Sequence, residues 1–189
     1  MVETIEVGYA PAAFVGILGI KHKYIIYTNS AGEKFIARAG PGVIAEPGTI
    51  ITESGPYTKD SRDWDSPRII RGGVVDPSYV PHPRETIITG DDLSSYWQII
   101  QNTMADIDAR NINYEIEDAN SNAAADEALR QAGLPAPTKD GPSDNWAPGS
   151  DFDLPGGDVA PGGRDFWDEF ADWVRHKVGL DDISELVNN

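Results

Sequence analysis

Ser121 stands in "DANSNAAADEALRQAG", where a polar turn gives way to an alanine-rich, helix-forming run. A serine hydroxyl attacks a carbonyl only when a base within hydrogen-bond reach removes its proton. A helix start supplies free N–H groups that favour a developing anion by ~0.3–1 kcal/mol. Asn120 and Asn122, on either side, add amide donors that can position a substrate or its oxyanion. The simpler reading is that Asn-Ser-Asn only caps the helix, a place both residue types favour. Three histidines are available as bases. His176 falls late in a C-terminal helical run, where a cation suits the dipole, and His82 sits between prolines in "VPHPRE". His22 opens "HKYIIY" and, at a strand end, can project over a cleft; its plain alternative is a surface histidine. Ser121 as nucleophile and His22 as base would do acyl transfer on an amide or ester.

The elements that must position these residues follow from periodicity and turn chemistry. "KYIIY" and "FIARAGP", joined by "TNSAGEK", read as an antiparallel hairpin. "GTIITES" and "RETIITG" are further strands, and the Pro/Gly/Asp/Arg-rich stretch 55–83 is mostly loop with one short strand near 68–75. "DDLSSYWQIIQNTMADIDAR" is a helix, with Leu93, Tyr96, Trp97, Ile100, Met104 and Ile107 on one face and Asp91 or Asp92 as its cap. "NINYEI" is short and extended. A second helix runs from about Ser121 to Ala132, capped by Asn120 and stopped by Gly133 and Pro135. The expected organisation is an α+β domain over 1–134, a Pro/Gly/Asp-rich linker over 135–163, and an amphipathic C-terminal helix over 164–189 that docks on the domain or a partner.

Composition narrows the function. The 189-residue chain has no cysteine, which removes disulfides, thiolate metal sites and cysteine nucleophiles. Its formal net charge of −16 disfavours nucleic acid and anionic membranes and favours a basic protein partner. The apolar run Ala10–Ile20 lacks a basic lead and is too short to span a bilayer, so neither a standard signal peptide nor a transmembrane segment is expected. The expected location is the cytoplasm, or outside the cell by a non-classical bacterial route. The acidic groups Asp60/Asp63/Asp65 and Asp151/Asp153/Asp158 lack the EF-hand pattern and read as solvated loops, so no metal or cofactor is expected.

"HKYIIYTNSAGEKFIARAGP", followed far downstream by "YEIEDANSNAAADEALRQAGLPAP", resembles the circularly permuted NlpC-type papain-like superfamily. That group includes cell-wall peptidases, acyltransferases and bacterial effector toxins. The resemblance implies an antiparallel sheet packed on helices, with the histidine strand ahead of the nucleophile helix. It implies Ser121 as nucleophile, at a position usually held by cysteine, and His22 as base. A serine there marks a serine-using branch, an inactive scaffold or an engineered replacement. A third polar group should orient the imidazole. The residues opposite His22, near Arg38–Gly40, offer no good acceptor; Glu46, Thr52 and Glu53 are nearer to one, and Glu53 is the choice among them. The substrate implied is a peptidoglycan peptide or a lipid, and an effector-toxin role goes with it. The alternative functions are an acidic immunity-type protein that neutralises a basic partner, and a papain-like scaffold without activity.

Overall fold

The structure is a computed structural model and describes residues 2–12, 21–43, 46–65, 67, 69–70, 74–75, 79–115, 119–137 and 153–154. The expected C-terminal helix and most of the expected linker lie outside these residues. Strands β1 (Glu3–Pro11), β2 (Lys21–Thr28), β3 (Lys34–Val43), β4 (Glu46–Pro56) and β7 (Arg84–Gly90) form one antiparallel sheet in the order β4-β3-β2-β1-β7. The two-residue strands β5 (Ile69–Ile70) and β6 (Val74–Val75) make a small hairpin in the long β4–β7 connection. Helices α1 (Ser94–Ala109) and α2 (Ser121–Gln131) follow. The described chain is therefore α+β.

Strand alternation decides what each face carries. Ile5, Val7 and Tyr9 of β1, Lys23, Ile25 and Tyr27 of β2, and Ala37 and Ala39 of β3 face the helices. They meet Trp97, Ile100 and Met104 of α1 and Ala125, Ala128 and Leu129 of α2. Alanines on β3 beneath alanines on α2 let the helix lie close to the sheet. As a result, every α2 residue from Ser121 to Leu129 is buried, including Asn122, Asp126 and Glu127. His22, Tyr24 and Ile26 take the opposite face with Ala10, Ile36 and Tyr57.

Each buried charge on the helix side has a partner. Lys23 Nζ bonds both Asp126 oxygens, at 2.9 and 2.8 Å, and the Pro137 carbonyl at 3.0 Å. Arg110 at the end of α1 reaches Glu127 on α2 at 2.6 Å. Glu3 accepts from the Leu93 amide, the Tyr27 hydroxyl and the Ser30 amide, joining the start of α1 to the β2–β3 turn. On the other face Gly8 matters. A Cβ there would stand 2.3 Å from the Tyr24 ring, which lies across β1 because that side chain is missing.

The hairpin, β4, β7 and both helices agree with their expected spans to within a few residues. β1 is absent from the expectations above, although Ile5, Val7 and Tyr9 alternate as strand residues should. The α1 cap also differs. Leu93 occupies the cap position without a side-chain bond, and Asp92 Oδ1 instead takes the Ser94 amide at 3.0 Å. The linker is anchored where it is described: the Pro137 carbonyl accepts from Lys23, and Leu154 is buried with Ala123 and Ala124.

Lys23→Met should destabilise the fold by about 3–5 kcal/mol, because it leaves Asp126 buried and unpaired. Lys23→Met with Asp126→Leu should recover most of that loss in urea unfolding.

Candidate active site

β2 and β3 pair only as far as Tyr24↔Arg38, while β2 continues beside β1 to Pro11↔Lys21. The edge of β2 at residues 21–23 is thereby left open on the β3 side, and the start of α2 fills it. The Asn122 side chain accepts from the Lys23 amide at 2.7 Å and donates to the Lys21 carbonyl at 3.3 Å. A carboxamide carries one acceptor and one donor group, so it satisfies the two backbone groups that flank His22 as a neighbouring strand would. Ser121, the residue before, is thus held next to the backbone of the 21–23 segment, while the His22 side chain leaves that segment on the sheet face opposite the helices.

The helix start is built by Asn120. Its φ of −137° and ψ of −169° are extended, and its Oδ1 accepts from the Asn122 and Ala123 amides at 2.8 and 3.3 Å. Asn120 is the cap and Asn122 the strand clamp, both distinct from the oxyanion and positioning roles expected of them. Ser121 is left without a capping duty and is 3% exposed. Chain 112–114 runs beside β4 through Ile50 N–H to the Ile112 carbonyl and Tyr114 N–H to the Gly48 carbonyl. This brings the Tyr114 phenol to Ser121. Burial pushes that phenol's pKa up, while hydrogen bonds with the Ser121 side chain and backbone and the charge of Arg38 oppose the rise.

His22 Nε2 lies 2.8 Å from Asp63 Oδ1. Among the described residues Nδ1 makes no hydrogen bond. Arg38 Nε takes the other oxygen of Asp63 at 2.5 Å. Burial alone would raise the Asp63 pKa; the hydrogen bond and charge of His22 and the charge and hydrogen bond of Arg38 outweigh it and hold the carboxyl at about 2. The turn that carries Asp63 is gripped by Tyr57, whose hydroxyl donates to the Asp63 carbonyl and accepts from the Asp65 amide, both at 2.9 Å. Asp65 in turn holds the Tyr79 hydroxyl and, at 3.1 Å, the His82 amide.

The partner of His22 is therefore Asp63, where Glu53 was expected. Glu53 sits beyond Arg38, 3.7 Å from Nη1, with its side chain half-exposed. Nor do Asp63 and Asp65 lie in a solvated acidic loop. Asp63 is buried between an imidazole and a guanidinium, and Asp65 is part-buried. Sequence reasoning also passed over Arg38 and Tyr114; the only signal for Asp63 was an acid close to aromatic residues in "YTKDSRDWD". His82, bonded to Tyr24 at 3.1 Å with its pKa lowered by burial, belongs to a neighbouring network. Among the described residues no group of three metal-ligating side chains is arranged to hold an ion, and no described helix is long and apolar enough to cross a membrane. No protein-family model, curated protein or solved structure matches the chain.

Two outcomes follow. Asn120→Ala should cost about 1 kcal/mol of stability, because Asn120 is the cap. Asp63 has a folded pKa below its ordinary unfolded value, so its contribution is present above about pH 4 and is lost as pH falls toward 2. Asp63→Asn should be less stable than the parent at neutral pH, with the gap in urea midpoint closing over that acid range.

Proposed function

We propose that the chain is an acyl-transfer enzyme of papain-like type, in which Ser121 attacks an amide or ester carbonyl and His22 is the base. The observation that carries this reading is the Asn122 clamp on Lys21 and Lys23, which ties the start of α2 to the strand position of His22. Asp63 holds Nε2, and the reading assigns Nδ1 to take the serine proton, the division of labour a base needs. In the first step the Ser121 Oγ–carbonyl carbon bond forms and its proton passes to His22 Nδ1. The C–N or C–O bond then breaks, and the leaving group takes that proton. Water or another acceptor repeats the exchange in reverse and frees the serine. Asp63 orients the ring and faces the positive charge the ring gains. The Tyr114 hydroxyl, hydrogen-bonded with Ser121, is the group assigned to the oxyanion in this reading; the Asn122 and Ala123 amides are held by the Asn120 cap.

The strand histidine ahead of the nucleophile helix in one chain is the order of the permuted papain-like group, and peptidoglycan peptides or lipids are the substrates that likeness suggests. An effector-toxin role is part of the same proposal. A second reading, an inactive scaffold, is favoured by one observation: the Ser121 hydroxyl faces Tyr114 in a site that is almost closed.

Ser121→Cys decides between them. The acyl-transfer reading expects this thiol to react with iodoacetamide faster than a free thiol, with His22→Ala lowering the rate by about 10²-fold or more. An inert thiol, or one indifferent to His22→Ala, would favour the scaffold. Ser121→Ala should lower stability by about 1 kcal/mol, the worth of its hydrogen bond with Tyr114, and lose no capping, because Asn120 is the cap.

A further inference from the structure

The Arg38 guanidinium is engaged at one corner only. Nε bonds Asp63, and Nη1 stands 3.7 Å from Glu53, too long for a hydrogen bond. Among the described residues neither Nη1 nor Nη2 makes a hydrogen bond. Arg38 is nonetheless 9% exposed. A buried cation whose outer donors are unused is costly to keep unless something fills them. A Cβ on Gly40 would come to 3.2 Å from Nη2, so the missing side chain spares that donor a close neighbour. The position also matters. One Asp63 oxygen holds His22 Nε2 and the other holds Arg38 Nε, so guanidinium and imidazole stand one carboxylate width apart.

We propose that Arg38 is a substrate-recognition residue whose Nη groups bind a carboxylate next to the scissile carbonyl. This rests on the acyl-transfer reading and narrows its substrate class to amides or esters that carry a carboxylate near the bond to be cut. The planar fork of arginine suits a carboxylate's two oxygens in a way a lysine ammonium does not. A chain of net charge −16 repels anions at long range, so capture of one requires a local, fixed cation. Glu53 stands at the rim of that cation and opposes an incoming anion, which limits binding to ligands that can make the paired hydrogen bonds.

The test compares iodoacetate with iodoacetamide on the Ser121→Cys protein. In both reactions the sulfur–carbon bond forms, the carbon–iodine bond breaks, iodide leaves, and the thiol proton passes to His22. The readout is the ratio of the two rates divided by the same ratio for free cysteine. Carboxylate recognition expects this quotient to exceed one by roughly tenfold, the effect of a hydrogen bond to a charged group. Arg38→Gln should remove most of that excess. Gly40→Ala, which crowds Nη2 and leaves the charge in place, should reduce it, and Glu53→Gln should raise it. Gly40→Ala leaves the Arg38 and Asp63 charges beside His22 in place, so its effect separates the outer nitrogens of Arg38 from any change at His22. A quotient near one, or one that neither Arg38→Gln nor Gly40→Ala lowers, overturns the proposal while the acyl-transfer reading stands. If Arg38→Gln fails to fold, Gly40→Ala decides alone. A thiol inert to both reagents removes the acyl-transfer reading and this inference with it.

Discussion

The divergence of β2 from β3 beyond the Tyr24↔Arg38 pair is the constraint on which the candidate site depends. Backbone groups at a buried strand edge must find partners. Had β3 continued in register, it would have taken the Lys21 carbonyl and the Lys23 amide, and no side chain could enter. With β3 displaced, the Asn122 carboxamide takes both groups. The same hydrogen bonds close the sheet edge and fix the start of α2 against the base of His22. Fold and site are therefore satisfied by one contact, and neither can relax without the other.

Around that contact the buried charges are arranged in separate sets on the two faces of the sheet. On the helix face Lys23 and Asp126 form a closed pair, both almost fully buried and satisfied with the help of the Pro137 carbonyl. On the other face Asp63 bridges His22 and Arg38, and the set is left open at Nδ1 and at the outer nitrogens of Arg38. The two sets differ in what they can do. A closed pair locates an element, and its replacement by apolar residues can leave stability intact. An open set keeps directed donors and acceptors in a low-dielectric place, where they act strongly on whatever enters.

Much of the frame was legible in the sequence. The β2–β3 hairpin announced itself through β-branched and aromatic runs around Asn29 and Gly32, and α2 through its Asn120 cap and the Gly133 stop, whose φ is +72°. Ser121 and His22 could be nominated because a helix start and a strand end are local features. The orienting acid could not. Asp63 arrives from a connection with no periodicity, and its choice over Glu53 depends on the grip of Tyr57 on the 63–65 turn, a tertiary contact no local pattern encodes. Glu53 lay in the right strand and even on the right face, directly opposite Arg38. It failed because the guanidinium stands between it and the imidazole. The roles of Asn120 and Asn122 were blurred for a similar reason: both are good caps, and only the position of β2 assigns one to the helix and the other to the sheet.

Asp65 draws Tyr79 and His82 back to the foot of the turn that carries Asp63. The connection between residues 65 and 79 thus has its two ends tied together. Lengthening such a tied connection costs only about 0.6 kcal/mol per doubling in loop entropy. A longer connection between those two residues would leave the Asp65–Tyr79 tie, and with it the footing of Asp63, in place.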